Sequence, residues 1–178
     1  SDRLPNACRF YSRYEEYAHG GYVIMRGGGK SRLVLNAGPF GLGPLHAHAH
    51  ADALAICLSI GREPVLVDSG TYCYNIERPL RDYFRSTTAH NTVTVDGRSQ
   101  ADATGAFLWR RFPAAAVKSR HKGRDIDVVV GEHDGYAPIT HKRIVVNLGN
   151  DLFLVADLLD AGPLDGRGSA HEYVQRFH

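Results

Sequence analysis

Cysteine is scarce in this chain: Cys8, Cys57 and Cys73 are the only three among 178 residues, and no regular spacing joins them. That excludes a disulfide framework and a cysteine-based zinc site. Cys57, inside an apolar run, reads as core. Long hydrophobic runs are missing as well. Nothing approaches the roughly 18 to 20 apolar residues of a membrane span, and no basic-then-apolar signal peptide opens the chain. Charge of one sign is not in excess either, since 21 Lys+Arg against 19 Asp+Glu leave a formal +2. No affinity for nucleic acid or for a membrane surface follows from such a balance. Internal repeats and a domain linker are absent too. With 43% hydrophobic and 22% charged residues, what is left is an ordinary soluble globular composition. It is long enough for one domain over residues 1–178 with a sizeable core.

Helical patterning is nearly lacking, and only residues 76–87 have it. The rest is short strands and turns. Residues 22–26 and 32–36 flank the glycine turn 27–29 as a hairpin. Residues 53–60 and 65–68 are joined by Gly61-Arg-Glu-Pro64, again strand, turn and strand. Asn91-Thr-Val-Thr-Val95 runs into Asp96-Gly97, the pair preferred in a tight type I′ turn. Residues 142–147 and 151–157 bracket Leu148-Gly149-Asn150. This spacing predicts an all-β chain, an antiparallel β-sandwich or a related layered β-sheet. The closing residues 171–178 have the pattern of a strand with nothing after it to complete a sheet, and the opening Ser1-Asp2-Arg3-Leu4-Pro5 is equally abrupt. Both point to a piece of a larger protein.

The stretch with most chemistry is His46-Ala-His48-Ala-His50-Ala-Asp52. On a strand, successive side chains alternate between faces, so three imidazoles and a carboxylate would line one surface with methyl groups on the other. Each unpartnered polar group buried there would cost about 2 kcal/mol or more, so the pattern predicts a surface built to bind something. A solvated edge strand is the plain alternative.

Four further motifs follow in order. They are Leu66-Val-Asp68-Ser-Gly70-Thr-Tyr72, Arg81-Asp-Tyr83-Phe-Arg85-Ser-Thr87, Ala89-His90-Asn91-Thr-Val93 and Val95-Asp96-Gly97. Together with His48-Ala-His50-Ala-Asp52-Ala-Leu54, with Gly20-Gly-Tyr22-Val-Ile-Met-Arg26 before and residues 171–178 after, the chain resembles the C-terminal domain of the heparinase II/III family of polysaccharide lyases. The resemblance covers nearly the whole chain. It implies a β-sheet domain that partners an N-terminal α/α toroid, absent here, and that helps cleave uronic-acid polysaccharides in the cleft between the two. It implies a periplasmic or secreted bacterial protein. It also implies zinc on His50, Asp68 and His90, with His48 close to the substrate as a catalytic or charge-neutralising histidine. A tyrosine of this domain reaches the cleft, and Tyr72, Tyr74 and Tyr83 are the candidates. The main catalytic tyrosine of such enzymes, with its asparagine or histidine helper, belongs to the toroid, and nothing in this sequence matches it.

The chemistry suits these residue types. Eliminative cleavage removes the proton at C5, α to the uronate carboxylate, and expels the oxygen at C4. It needs charge neutralisation, a base and an acid. Histidine titrates near 6.5 and serves either way, whereas tyrosine near 10 needs a cationic neighbour to act as base. Arg85 is the candidate to supply that cation or to grip an acidic polysaccharide, with His46 as a second substrate contact. Read plainly, Arg78, Arg81 and Arg85 are surface charges.

Two imidazoles and a carboxylate are a standard zinc set. A simple hairpin around Arg62 would set Asp68 opposite about residue 57 and His50 opposite about residue 74. The hairpin therefore does not join His50 to Asp68, and favours Tyr74 among the tyrosines. His121, His133 and His141 read as surface or hydrogen-bonding residues. Trp109, Phe107 and Phe112 read as a core aromatic cluster, with a sugar-stacking platform as the alternative. Three rivals remain. His50, Asp52 and His90 match the 2-His-1-carboxylate set of an iron oxygenase. His48-Ala-His50-Ala-Asp52 is similar to metallo-β-lactamase-like hydrolases, although Ala53 stands where those need a histidine. A non-catalytic glycan-binding or structural β domain is the third.

Overall fold

The computed structural model describes residues 13–74, 77–162 and 170–178. The opening residues 1–5, Cys8 and Ile76 lie outside the described residues. In chain order the elements are β1 Tyr14–Tyr17, β2 Tyr22–Arg26, β3 Ser31–Asn36, β4 Ile56–Ile60, β5 Glu63–Leu66 and helix α1 Arg78–Phe84. There follow β6 Val93–Val95, β7 Asp102–Gly105, β8 Leu108–Arg111, β9 Ala115–Lys122, β10 Asp127–Tyr136, β11 Ile139–Asn147, β12 Phe153–Asp160 and β13 Tyr173–Gln175.

Two antiparallel sheets face each other. One runs β1-β2-β3-β4-β5 and the other β12-β11-β10-β9. Period-two alternation builds the layer between them. Val23 and Met25 of β2 and Leu33 and Leu35 of β3 point inward to meet Val129 of β10 and Val145 of β11, with Tyr14, Leu54 and Ile56 closing the cluster. Each such apolar side chain, once buried, contributes about 1.5–3 kcal/mol. The expected sandwich is therefore the observed fold. Polar pins reinforce it. Arg13 pairs with Asp127 at 2.5 Å, and Asp151 accepts bonds from the backbone N–H groups of Gly29 and Ser31, each at 3.1 Å. A Cβ on Gly29 would strike the Asp151 carboxylate, so the glycine turn is shaped to receive it.

Most expected turns are present. Asp96 and Gly97 both take positive φ, 52° and 66°, as a type I′ turn demands. β4 and β5 meet through a two-residue turn, with Ile60 opposite Glu63 and a register shift before Leu58 opposite Leu66. Pro64 is tolerated because β5 is an edge strand.

Two expectations are corrected. The closing segment does find a partner, since β13 pairs antiparallel with β6. And the alternating histidines form no strand: residues 37–55 are a run of turns between β3 and β4. Gly41, Gly43, His46 and Leu54 all have φ between 49° and 70° there, which a strand excludes. The backbone N–H groups go to separate places, Ala51 to the carbonyl of Arg85, Ala53 to the Gln100 side chain and Leu54 to the carbonyl of Asn36. No single sheet face therefore carries the three imidazoles.

A buried polar chain ties the second sheet to this loop. The Gly135 N–H donates to His133 Nδ1 at 3.0 Å, so the ring proton sits on Nε2, which donates to His141 Nδ1 at 2.9 Å. His141 Nε2 then donates to Asp157 at 2.7 Å. Arg143 donates Nε and Nη2 to the same carboxylate at 2.8 and 2.9 Å. Its Nη1 reaches the carbonyls of Leu54 and Asn91 at 2.7 and 2.6 Å. Hydrogen bonding is thus the role of His133 and His141, while His121 is exposed. Burial, then the neighbouring His141 and Arg143, push the His133 pKa well below its ordinary 6.5. Burial alone would raise Asp157, but bonds from His141 and Arg143 hold it well below the usual carboxylate range.

The sign of the resulting pH dependence follows. Below about 6.5 the unfolded chain accepts a proton on His133 that the native state refuses, so stability falls with falling pH and is unaffected above that range. Thermal melts should show a loss of about 2 kcal/mol from this site between neutrality and pH 5, at 1.36 kcal/mol per unit. His133→Gln should flatten part of that slope. An unchanged slope would mean that His133 does protonate in the fold.

Candidate active site

Four segments converge: the turns of residues 37–55, the stretch after β5, α1 with residues 85–91, and the β7–β8 connection. Asn91 fastens them. Its side-chain amide donates to the carbonyls of Ile56 and Val67 at 2.9 and 2.8 Å, and its oxygen accepts from the His178 N–H at 2.7 Å. The residues on either side of these anchors, His90 and Asp68, are thereby brought together. His90 Nδ1 lies 2.7 Å from Asp68 Oδ2, and Asp68 Oδ1 accepts from the Gly70 N–H at 2.8 Å. With Nδ1 donating to the carboxylate, the lone pair falls on His90 Nε2, which is buried and has no partner. The His50 ring sits 5.2 Å from the His90 ring, and its Nε2 is 3.4 Å from the Thr71 hydroxyl.

Electrostatics set the charge states. Burial, then the charges of His90 and Arg81, lower the His50 pKa to about 4, so it is a neutral donor at pH 7. Burial would raise Asp68, yet its bonds to His90 win and lower it, which leaves it ionised. Asp52 takes a different path. It accepts from the Asn36 amide at 2.9 Å, and burial pushes its pKa up. Among the described residues no three His, Cys, Asp or Glu side chains stand as a ready-made metal cage. The donor set itself, two imidazoles and a carboxylate with an orphaned buried lone pair, suits zinc chemistry.

Beside this group opens a cavity of about 470 Å³ lined by His48, His50, Asp52, Asp68, Tyr22 and Thr71, among others. Sequence reasoning missed Tyr22, Asn36 and Thr71. Tyr22 and Thr71 lie within the motifs quoted above without having been singled out, and the opposition of Tyr22 and Asn36 across β2 and β3 links Asn36 to them. His48 is exposed, with its ring 5.6 Å from Tyr74 and 6.0 Å from Phe107. Of the three tyrosines, Tyr74 alone meets a histidine of the motif, while Tyr72 and Tyr83 lie against Phe84. His46 is set apart against Phe40 and Phe112, at 5.7 and 4.4 Å.

The arginines are not the surface charges expected. Only Arg78 is exposed, paired with Asp82 at 2.6 Å. Arg85 is fully enclosed: Asp82 and the carbonyls of Gly105 and Ala106 take its donors, and Trp109 packs 4.6 Å from its guanidinium carbon. With every nitrogen of the guanidinium bonded and the group enclosed, Arg85 braces α1 rather than facing a ligand. The aromatic cluster divides: Trp109 packs against the buried group of Phe40, Ala49, Ala51 and Ala101 as expected of a core ring, whereas Phe112 is 42% exposed and Phe107 is half-buried. Phe107 lies against His48 and Phe112 against His46.

The arrangement offers an exposed imidazole, a neutral half-buried imidazole and an ionised carboxylate about one open cavity, with a phenol beside the exposed imidazole. Such a set can move protons and hold a cation or a polar ring. The family profile described as "Heparinase II/III-like, C-terminal" matches residues 12–178. Among curated proteins, the chain is 26% identical over 128 residues to a heparin-sulfate lyase of Pedobacter heparinus, covering 70% of this chain and 17% of that protein. It is 27% identical over 145 residues to a heparin-sulfate lyase of Bacteroides stercoris, covering 77% and 19%. It thus spans about a fifth of the length of these relatives. Among solved structures, heparan sulfate lyase HepC from Pedobacter heparinus superposes with a TM-score of 0.66 at 24% identity, over 81% of this chain and 21% of that one. A heparinase III gene product gives 0.67 at 24%, over 82% and 22%. These two show the same fold.

Asn91→Ala removes three hydrogen bonds at once from a residue that is 1% exposed. At about 1 kcal/mol each, the expected loss is about 3 kcal/mol. Denaturant titration measures it, and the His50 and His90 ring signals in NMR should move with it. A variant of unchanged stability would show that Asn91 fastens nothing.

Proposed function

The chain belongs to the heparinase II/III-like family, as its C-terminal domain, and from that premise we propose that it supplies one wall of the cleft of a polysaccharide lyase acting by β-elimination on a uronic-acid polysaccharide. The observation that carries this reading is the grouping of Asp68, His90 and His50 beside a cavity whose rim holds His48 next to Tyr74. The names of the curated relatives, heparin-sulfate lyases, favour an acidic polysaccharide as substrate. Their greater length favours an N-terminal α/α toroid that completes the cleft and brings the principal base or acid. A periplasmic or secreted location goes with a polymeric substrate. Among the described residues no helix is long and apolar enough to cross a membrane.

In this reading each side chain has a task. Tyr74 and His48 face the sugar and exchange protons with C5 and with the leaving oxygen at C4. Asp68 fixes the tautomer of His90 and remains ionised. His50 stays neutral and keeps its lone pair available. We assign zinc to His50, Asp68 and His90, supported by their donor chemistry and by the 2.7 Å approach of His90 Nδ1 to Asp68, between which the ion would take the place of the proton. Zinc, when bound, supplies a fixed positive charge and ties three loops together.

Untagged protein, analysed for metals, should carry one zinc per chain. His50→Ala or His90→Ala should remove it and lower the melting temperature, because metal bound only by the fold adds to stability. Stoichiometric iron would move the assignment to an oxygenase, and absence of any metal would sink the zinc site. In the longer protein, His48→Ala should cut turnover by about 10²-fold or more while zinc content stays constant. Loss of zinc in that variant would shift the ligand register by two residues. The 178-residue chain alone should release no unsaturated uronate from heparan or alginate, detected by the ultraviolet absorbance of the 4,5-double bond, because the principal base or acid belongs to the toroid. Turnover by the isolated chain would refute that division of labour.

A further inference from the structure

Arg81 is a charge the fold encloses and leaves unanswered. Its residue is 1% exposed, it sits in α1, and both terminal nitrogens, Nη1 and Nη2, are buried without a hydrogen-bond partner. Only Nε has an acceptor in range, the Ala106 carbonyl at a marginal 3.4 Å. Among the described residues no carboxylate pairs with it, and only the Tyr74 and Phe107 rings face its charge. Asp82, the acid on the same helix, is taken by Arg78 and Arg85. Burial, then the charge of Arg85, lowers its pKa from the ordinary arginine value, though a guanidinium stays protonated at neutral pH. Natural folds rarely keep a buried charge with its donors idle, since that is among the costliest arrangements a core can contain.

The position adds the meaning. The guanidinium carbon lies 5.1 Å from the Tyr74 ring centre and 5.8 Å from that of Phe107. These two rings are near-parallel, 5.9 Å apart at 20°, and both contact His48. Arg81 therefore stands behind the exposed histidine and its tyrosine. Its four free N–H bonds form a fork that fits the two oxygens of a planar carboxylate, and the Tyr74 and Phe107 rings offer faces on which a sugar ring stacks.

We propose that Arg81 is the specificity-determining anion receptor of this site, binding the carboxylate of an acidic sugar residue against Tyr74 and Phe107. This rests on the lyase reading for the identity of the polymer, but not for the anion itself. Tyr74, 45% exposed, covers the fork and has to turn aside to admit the ligand. Arg85 holds α1 in place beneath it, so one arginine of the pair is structural and the other is the receptor.

The test uses the 178-residue chain, 15N-labelled and titrated with D-glucuronate, with uncharged D-glucose and inorganic sulfate in parallel. Glucuronate should move the Arg81 Nε–H and Tyr74 ring signals saturably, and glucose should not. Arg81→Met should weaken glucuronate binding by about tenfold or more while keeping or raising the melting temperature, because it removes an uncompensated buried charge. Arg81→Lys, which keeps the charge and loses the fork, should recover part of the affinity. Arg78→Ala, on the exposed side of α1, should bind as wild type. A glucuronate response unaltered by Arg81→Met, a response to sulfate with none to glucuronate, or a large drop in melting temperature on Arg81→Met would each overturn the proposal. None of these touches the metal content or turnover of the longer protein, so the lyase reading stands or falls separately.

Discussion

The guanidinium of Arg143 is the joint on which the rest of the molecule hangs. One edge is held bidentately by Asp157 within the second sheet, and the remaining nitrogen crosses to the carbonyls of Leu54 and Asn91. Those carbonyls belong to irregular backbone, which has no ladder of its own to satisfy it. A fully buried arginine is stable here because all its donors on that side find acceptors and its charge finds a carboxylate that is itself hydrogen-bonded by His141 and by Gln175. Removing one partner of such a pair typically costs about 3–5 kcal/mol. The regular part of the fold thereby sets the irregular part, and with it the spacing of His50, Asp68 and His90.

The two arginines of α1 give the contrast. Arg85 resembles Arg143, with its charge matched and its donors taken. Arg81, four residues earlier and one helical turn away, is as deeply buried and has neither. Four-residue spacing puts both on one helix face, so the helix delivers a saturated and an unsaturated guanidinium to the same neighbourhood. Local structure explains the placement. The proposed anion accounts for the difference.

The sandwich was legible in the sequence because its strands are built on period-two alternation and its turns on glycine, proline and Asp-Gly, both local signals. The β2–β3 hairpin, the I′ turn at Asp96-Gly97 and α1 all fell where such signals put them. The site was legible only in composition. Alternating His and Ala suggested a strand face, but a strand needs a neighbour along its whole length, and from residue 37 to 55 the backbone is bonded instead to Arg85, Gln100 and Asn36. Those partners lie 18 to 47 residues away in sequence, beyond the reach of any periodicity. The burial of Arg81 and the tether at Asn91 were invisible for the same reason. A hairpin register had already favoured Tyr74, and the structure sets it beside His48 through the β7–β8 connection rather than through that register.

The pairing of β13 with β6 has a consequence in time rather than in space. The end of the chain closes the group around His90: Val67 donates to the His178 carbonyl, Arg176 to that of Thr92, and His178 to the Asn91 side chain. These contacts span more than eighty residues, among the largest loop closures the chain makes, and such closures come late in folding because their entropy must be met before the contacts repay it. During synthesis the histidine loop emerges long before its last fastening does. The group around His90 is thus complete only once residues 173–178 have been made and docked, and the site's histidines, all synthesised earlier, wait for that fastening.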